Sequence, residues 1–177
     1  MTTMSEREHR IRFEAGLMRL YGGDWHRRDD GGFTMFEGFT APSGCFARYR
    51  ARLVLPPSFP CQQPDLYVIE PCPLRSRISG KHLYEFGTSH DFHIYKHEPQ
   101  VKICYTQSWD ASTACVKVMV KLVLWLLAYE QYLDSGRTIA DLLNVENDRL
   151  ADMSWLQRRQ RVVGRSKILG RETHGRH

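Results

Sequence analysis

A long apolar stretch near the middle of the chain constrains the fold more than any other feature. Residues 111–133 contain neither Gly nor Pro, and apolar side chains surround almost the whole of the helix that they predict. Only a narrow polar stripe interrupts them, formed by Lys117, Lys121 and Ala128. Because the two lysines cut the uncharged run well below the roughly 20 residues that a bilayer requires, the stretch is not a membrane span. The sequence therefore predicts a helix buried inside a globular protein.

The segment before this helix carries a lone cysteine, Cys104. It follows a short extended segment and precedes a polar turn, in which Ser108 or Asp110 can cap the helix through a side-chain oxygen. This order would place Cys104 at the mouth of the helix, where the partial positive charge of the helix N-terminus favours a thiolate. Other positive or protonatable side chains close in sequence act in the same direction: Lys96, Lys102, His93 and His97.

The rest of the chain predicts an α+β domain with an antiparallel sheet. An amphipathic first helix (5–21) is followed by a polar connector (25–30), and alternating polar and apolar residues then predict a three-strand meander at 33–40, 45–55 and 65–70. Prolines keep the link between the last two strands extended, and a long irregular loop spans 74–100. Beyond the central helix, Gly136 is a stop signal, Thr138 can cap a short helix through Leu143, and a last helix is predicted at 145–161.

Composition limits the classes of protein that remain. A chain of 177 residues forms one domain, here 1–145, with an extension at 146–177 that carries a basic helix and tail. The N-terminus is charged and lacks the pattern of a signal peptide, and the five cysteines are odd in number. We therefore expect a reduced, cytoplasmic chain without a disulfide framework. Cys115 is expected to pack inside the central helix, and the remaining three are expected to be packing or surface residues: Cys45, Cys61 and Cys72.

Three local patterns resemble the ubiquitin-conjugating (UBC-like) fold. Residues 53–68 are similar to that family's strand, Tyr/Phe-Pro link and following strand, and Ile103-Cys104-Tyr105 with Trp109 is similar to its active-site turn. Residues 125–136 resemble the Trp-Leu, Tyr-Glu and Tyr/Trp-Leu-x-x-Gly signature of bacterial relatives from anti-phage operons, the CBASS type among them. The resemblance covers roughly residues 5–145. It implies an N-terminal helix, an antiparallel meander, a long active-site loop, a central buried helix and C-terminal helices.

The resemblance implies a cysteine acyltransferase that forms a thioester on Cys104. The eukaryotic family carries His-Pro-Asn before its cysteine, whereas His93-Ile94-Tyr95 stands here, as in the bacterial relatives. Transfer needs a base for the acceptor amine, and the available groups are Asp110, His93 and Glu98. It also needs a donor for the oxyanion, which backbone amides, the Tyr95 hydroxyl or Gln107 can supply. The implied catalytic residues are Cys104, His93, Asp110 and Tyr95.

The resemblance also implies partners. The cargo would be the C-terminus of a cGAS-like nucleotidyltransferase, or else a ubiquitin-like modifier, with an activating enzyme as a further partner. No cofactor is expected. Metal is not expected either, because the histidines around Cys104 lack the tight ligand spacing of structural zinc sites.

Two other functions remain open from the sequence. One is a catalytically silent adaptor of the same fold, since the family's asparagine is missing. The other is a basic nucleic-acid-binding domain, which rests on the arginine-rich segment beyond Asn147 and on a net charge of +5. That segment lacks interleaved aromatic residues, so nucleic acid is the weaker alternative.

Overall fold

The computed structural model describes residues 5–22, 25–30, 33–41, 45–106 and 108–144. The chain divides into two compact units, Met1–Leu142 and Leu143–His177. Residues 145–177 lie outside the described part, and so do the basic tail and the helix predicted at 145–161. The description below concerns the first unit.

The first helix, α1, spans Glu6–Gly22, which confirms the helix predicted at 5–21. Its buried face is formed by Ile11, Glu14 and Met18, each with no exposed surface. Their spacing of three and four residues is that of one helix face. Two other large apolar residues of this helix, Phe13 and Leu20, are 58% and 77% exposed.

Within the described residues, the sheet has six antiparallel strands rather than three. In chain order they are β1 (His26–Asp30), β2 (Phe33–Thr40), β3 (Tyr49–Leu55), β4 (Asp65–Glu70), β5 (Ile94–Tyr95) and β6 (Val101–Ile103). Their order in the sheet is β1-β2-β3-β4-β6-β5, so β1 and β5 are the edge strands. The α+β class and the bounds of β2 and β4 confirm the sequence prediction, whereas β3 begins at Tyr49 and not at Cys45.

The interpretation of residues 25–30 as a connector was wrong. His26–Asp30 pairs along its whole length with β2, from His26 opposite Glu37 to Asp30 opposite Phe33. This edge strand consists only of polar residues and is mostly exposed, so it has no apolar alternation to reveal it. Its charged side chains suit an exposed sheet edge, which must not pair with other chains.

The central helix, α2, spans Cys115–Ser135, which confirms the helix but not its predicted start. Residues 111–114 precede it, its N-cap residue is Ala114, and Asp110 and Ser108 do not cap it. The Asp110 carboxylate instead accepts the amide hydrogen of Ser112 at 2.7 Å. The amide of Cys115 donates at 2.8 Å to Glu14, so the buried carboxylate of α1 satisfies the start of α2.

The exposed stripe of α2 also differs from the predicted one. Lys117 and Lys121 are exposed, but Ala128 is fully buried and Val120 is 51% exposed. The helix ends as predicted at Gly136, whose φ of 75° is the left-handed conformation that glycine adopts readily.

Tyrosines and a tryptophan of α2 hold the long loop that precedes the site. The Tyr132 hydroxyl lies 2.8 Å from Ser76 Oγ, and the Tyr129 hydroxyl donates to the carbonyl of Arg75 at 3.0 Å. Trp125 Nε1 donates to the carbonyl of Phe92 at 2.9 Å. The loop predicted at 74–100 is therefore anchored, and it contains a 3-10 helix, Leu83–Phe86, together with β5.

The segment after α2 is helical from residue 139 to residue 144, the last one described. Thr138 begins it, since its hydroxyl accepts the amide hydrogen of Asp141 at 3.1 Å. This confirms the predicted cap. Within the described residues, no helix combines the length and the apolar character that a bilayer crossing demands.

Candidate active site

Cys104 lies directly after β6 at one edge of the sheet. Its amide donates to the carbonyl of His93 at 2.8 Å, which continues the pairing of β5 with β6 by one residue. Val101 and Ile103 are buried whereas Lys102 and Cys104 are half-exposed. Because side chains alternate along a strand, Lys102 and Cys104 belong to the outward face of the sheet. The thiol is thus on a surface that solvent reaches.

The hydroxyl of Tyr95 is a hydrogen-bond partner of this thiol. Cys104 Sγ lies 3.2 Å from the Tyr95 hydroxyl, and Tyr95 is paired with Lys102 across β5 and β6. The hydrogen bond with Cys104, followed by burial, raises the pKa of Tyr95. The phenol therefore stays protonated at neutral pH, and it can donate a hydrogen bond to a thiolate or to an oxyanion but cannot act as a base.

His93 contributes to the site through its main chain. Its carbonyl accepts the Cys104 amide hydrogen, and its own amide donates to the carbonyl of His90 at 3.1 Å in the turn before β5. His93 has a φ of 50°, which is uncommon for a residue other than glycine. This conformation turns the chain into β5 and so presents Tyr95 beside the thiol.

Asp110 lies in the turn before α2. It is exposed, and the hydrogen bond from the Ser112 side chain is the main cause that lowers its pKa. A lowered pKa makes this carboxylate a weaker proton acceptor. The contacts that the structure gives for Asp110 are with Ser112 and Thr113 of its own turn.

The positive charge beside Cys104 is already paired. Lys102 Nζ lies 2.8 Å from Asp65 Oδ1 and over the rings of Tyr67 and Tyr95, at 5.9 and 5.7 Å from their centroids. Asp65 and Tyr67 were not predicted from the sequence to be site residues. Their outward positions in β4 follow from alternation alone, but only the pairing of β4 with β6 shows that they flank Lys102.

Two aromatic residues after Cys104 fix the following segment. Tyr105 donates through its hydroxyl to the carbonyl of Pro64 at 2.6 Å, and Trp109 Nε1 donates to the carbonyl of Pro60 at 2.7 Å. Both side chains thereby join the chain beyond the thiol to the proline-rich link. Their role in the structure is to hold the site in place.

The other cysteines differ from Cys104 in their surroundings. All five are free thiols. Cys115 is buried, which raises its pKa, and burial raises the pKa of Cys45 to about 11. Cys72 donates to the carbonyl of Pro99, and Cys61 is exposed. Within the described ranges, no group of three His, Cys, Asp or Glu side chains is placed to hold a metal ion.

No protein-family model matches the chain, and no curated protein matches it significantly. The class of protein is thus defined by the fold and the site themselves. It is an α+β protein with a six-stranded antiparallel sheet and a half-exposed cysteine and tyrosine paired at one sheet edge.

Proposed function

We propose that this protein is a UBC-like cysteine acyltransferase that carries the C-terminal carboxyl group of another protein as a thioester on Cys104. The observation that supports this most directly is the half-exposed Cys104 thiol, 3.2 Å from the hydroxyl of Tyr95. The thiol is reachable from the outward face of the sheet, and its neighbour is a neutral hydrogen-bond donor. A nucleophilic cysteine must be accessible to its substrate, and its thiolate must be stabilised by a neighbouring group.

In the loading step, the Cys104 thiolate attacks the carbonyl carbon of an activated cargo C-terminus. A new carbon–sulfur bond forms, and the bond to the leaving group, the thiolate of an activating enzyme, breaks and returns its electron pair to that sulfur. The carbonyl oxygen becomes negative in the intermediate. The Tyr95 hydroxyl can donate a hydrogen bond to that oxygen without moving far from the sulfur.

In the transfer step, a neutral amine attacks the thioester. The carbon–nitrogen bond forms, the carbon–sulfur bond breaks, and Cys104 leaves as a thiolate. The nitrogen loses one proton to a base, and the product is an amide. The groups proposed from the sequence for that proton are Asp110, His93 and Glu98.

The cargo is proposed from the resemblance of residues 125–136 to bacterial relatives of anti-phage operons. It would be the C-terminal tail of a cGAS-like nucleotidyltransferase, in a cytoplasmic defence pathway of the CBASS type. A ubiquitin-like modifier is the other cargo of the same chemistry.

The test is to co-express the full chain with the nucleotidyltransferase and an activating enzyme, which supplies the activated C-terminus, and to analyse the chain by non-reducing mass spectrometry. We expect an adduct on Cys104 that dithiothreitol removes. In Cys104→Ser, an oxyester should replace the thioester and should survive dithiothreitol. Cys61→Ser is the matched control, because Cys61 is also an exposed free thiol, and it should load as the wild type does.

The same experiment distinguishes the proposal from its alternatives. A reducible adduct that persists in Cys104→Ala would assign the chemistry to another cysteine. Stable binding of the cargo without any adduct, in both wild type and Cys104→Ala, would instead indicate an adaptor.

A further inference from the structure

The outward face of β4, β6 and β5 carries a bound ammonium group, that of Lys102. Its partner is the carboxylate of Asp65, which also accepts a hydrogen bond from the Tyr67 hydroxyl at 3.2 Å. The rings of Tyr67 and Tyr95 lie within the distance at which a cation is attracted to an aromatic face. A carboxylate and two aromatic rings that surround the same cation are a suitable environment for an alkylammonium ion.

This ammonium site lies next to the thiol. The pairing of β4 with β6 runs from Val68 opposite Val101 to Leu66 opposite Ile103, so the next residues along the two strands are Asp65 and Cys104. Tyr95 connects the two sites, because its hydroxyl lies 3.2 Å from Cys104 Sγ and its ring centroid lies 5.7 Å from Lys102 Nζ. The pKa of Tyr95 is raised first by its hydrogen bond with Cys104, then by burial, and further by the negative charge of Asp65.

We infer that Asp65, with the rings of Tyr67 and Tyr95, binds the ammonium group of the acceptor lysine, and that Lys102 occupies this position until the acceptor arrives. The inference rests on the proposed function. Both side chains of the ion pair are partly exposed, 26% for Lys102 and 40% for Asp65, so an incoming amine can reach the carboxylate. Because an exposed ion pair contributes little, displacing Lys102 costs little.

Asp65 is a positioning residue in this scheme. It holds the acceptor as an ammonium ion beside the thioester, and the ion then loses its proton to solvent and attacks as the neutral amine. The amide bond forms as the carbon–sulfur bond to Cys104 breaks, Cys104 leaves as a thiolate, and the nitrogen loses its second proton to a base. Asp65 is therefore needed for acceptors that are charged before attack and not for neutral nucleophiles.

The test uses full-length protein in which the two exposed thiols are replaced, Cys61→Ser and Cys72→Ser. Cys104 is loaded with a glycine-ended peptide supplied as its 2-mercaptoethanesulfonate thioester. Discharge is then measured against free L-lysine and against hydroxylamine, whose nitrogen is uncharged at neutral pH. In Asp65→Asn we expect the KM for lysine to rise about three- to tenfold, as the loss of a partly exposed charge-assisted hydrogen bond predicts, with the hydroxylamine rate unchanged.

A second variant tests the same idea in the opposite direction. Lys102→Met removes the competing ammonium and should lower the KM for lysine about threefold. Asp65→Glu keeps a carboxylate, so its KM for lysine should lie between those of the wild type and Asp65→Asn. Glu70→Gln is the matched control, because Glu70 is a carboxylate on the same strand that pairs with Arg50. It should change neither rate.

Three results would overturn the inference alone: an unchanged KM for lysine in Asp65→Asn, an equal loss with lysine and hydroxylamine, or peptide found attached to Lys102. The last result would make Lys102 the acceptor itself. Failure of Cys104 to accept the peptide at all would overturn the proposed function, and this inference with it.

Discussion

The buried carboxylate of Glu14 joins the first helix to the central helix, and its removal should destabilise the protein clearly. Glu14 has no exposed surface. It accepts hydrogen bonds from Arg10 Nε and from the amide of Cys115, each at 2.8 Å. Arg10 in turn donates to the carbonyl of Thr113 at 2.9 Å, so Glu14 and Arg10 together bind two main-chain groups at the start of α2.

The cost of Glu14→Ala follows from what the substitution leaves unpaired. A buried amide without a partner costs about 1–3 kcal/mol. Breaking a fully buried ion pair costs about 3–5 kcal/mol, but Arg10 is 23% exposed and can gain water, so its share is smaller. We expect the free energy of unfolding to fall by about 3 kcal/mol in total, and by about half of that in Glu14→Gln, which keeps an oxygen acceptor.

Urea unfolding followed by tryptophan fluorescence and by circular dichroism measures this free energy. A loss of 3 kcal/mol in a chain of this size corresponds to a fall in Tm of roughly 6–12 °C. Glu6→Ala is the matched control, because Glu6 is an exposed glutamate in the first turn of the same helix and should cost less than about 1 kcal/mol. If Glu14→Ala and Glu6→Ala destabilised the protein equally, the carboxylate would not hold the two helices together.

Three further changes test other parts of the structure. Glu8→Gln should lower stability by about 1 kcal/mol above pH 4.5, because the hydrogen bond with Arg27 lowers the pKa of Glu8 to about 2. The difference should shrink as the pH falls below 4.5 and should vanish below about pH 2, where the carboxyl is protonated in the folded state too; an undiminished difference there would contradict it. Tyr95→Phe should slow thioester formation on Cys104 about tenfold in single-turnover assays without changing the Tm, and an unchanged rate would remove Tyr95 from the chemistry. Gly136→Ala should lower the free energy of unfolding by about 1–2 kcal/mol, measured by urea titration, since its φ is 75° and a residue with a Cβ is strained in that conformation. Full stability of that variant would show that the helix end tolerates a side chain.

Local patterns predicted those elements whose burial alternates or repeats. The strands β2 and β4 were predicted with their observed bounds because buried and exposed residues alternate along much of their length. The edge strand β1 was missed because five polar residues in a row carry no such signal, and only pairing with β2 makes them a strand. The predicted start of α2 was wrong because its first amide, that of Cys115, is bound by the side chain of Glu14, about a hundred residues earlier in the chain.

The candidate site also combines residues that the local sequence predicts with a residue that only long-range pairing brings close. Cys104 and Tyr95 were candidates from the sequence, because they lie within ten residues of each other and match a short motif. Asp65 was not, because it comes close to Lys102 only through the pairing of β4 with β6. Chemical groups that lie in one segment can be identified from the sequence. A group on a neighbouring strand can be placed beside them only when the register of the sheet is known.

The position of Tyr95 beside Cys104, on the outward face of the sheet, is determined by contacts on the opposite, inward face. Trp125 of the central helix holds the carbonyl of Phe92, and Ile94, two residues later, is buried with only 1% of its surface exposed. Because successive side chains of a strand point to opposite faces, burial of Ile94 turns Tyr95 outward, to the face that carries Cys104. The apolar helix that first constrained the fold therefore also fixes the position of the tyrosine beside the thiol.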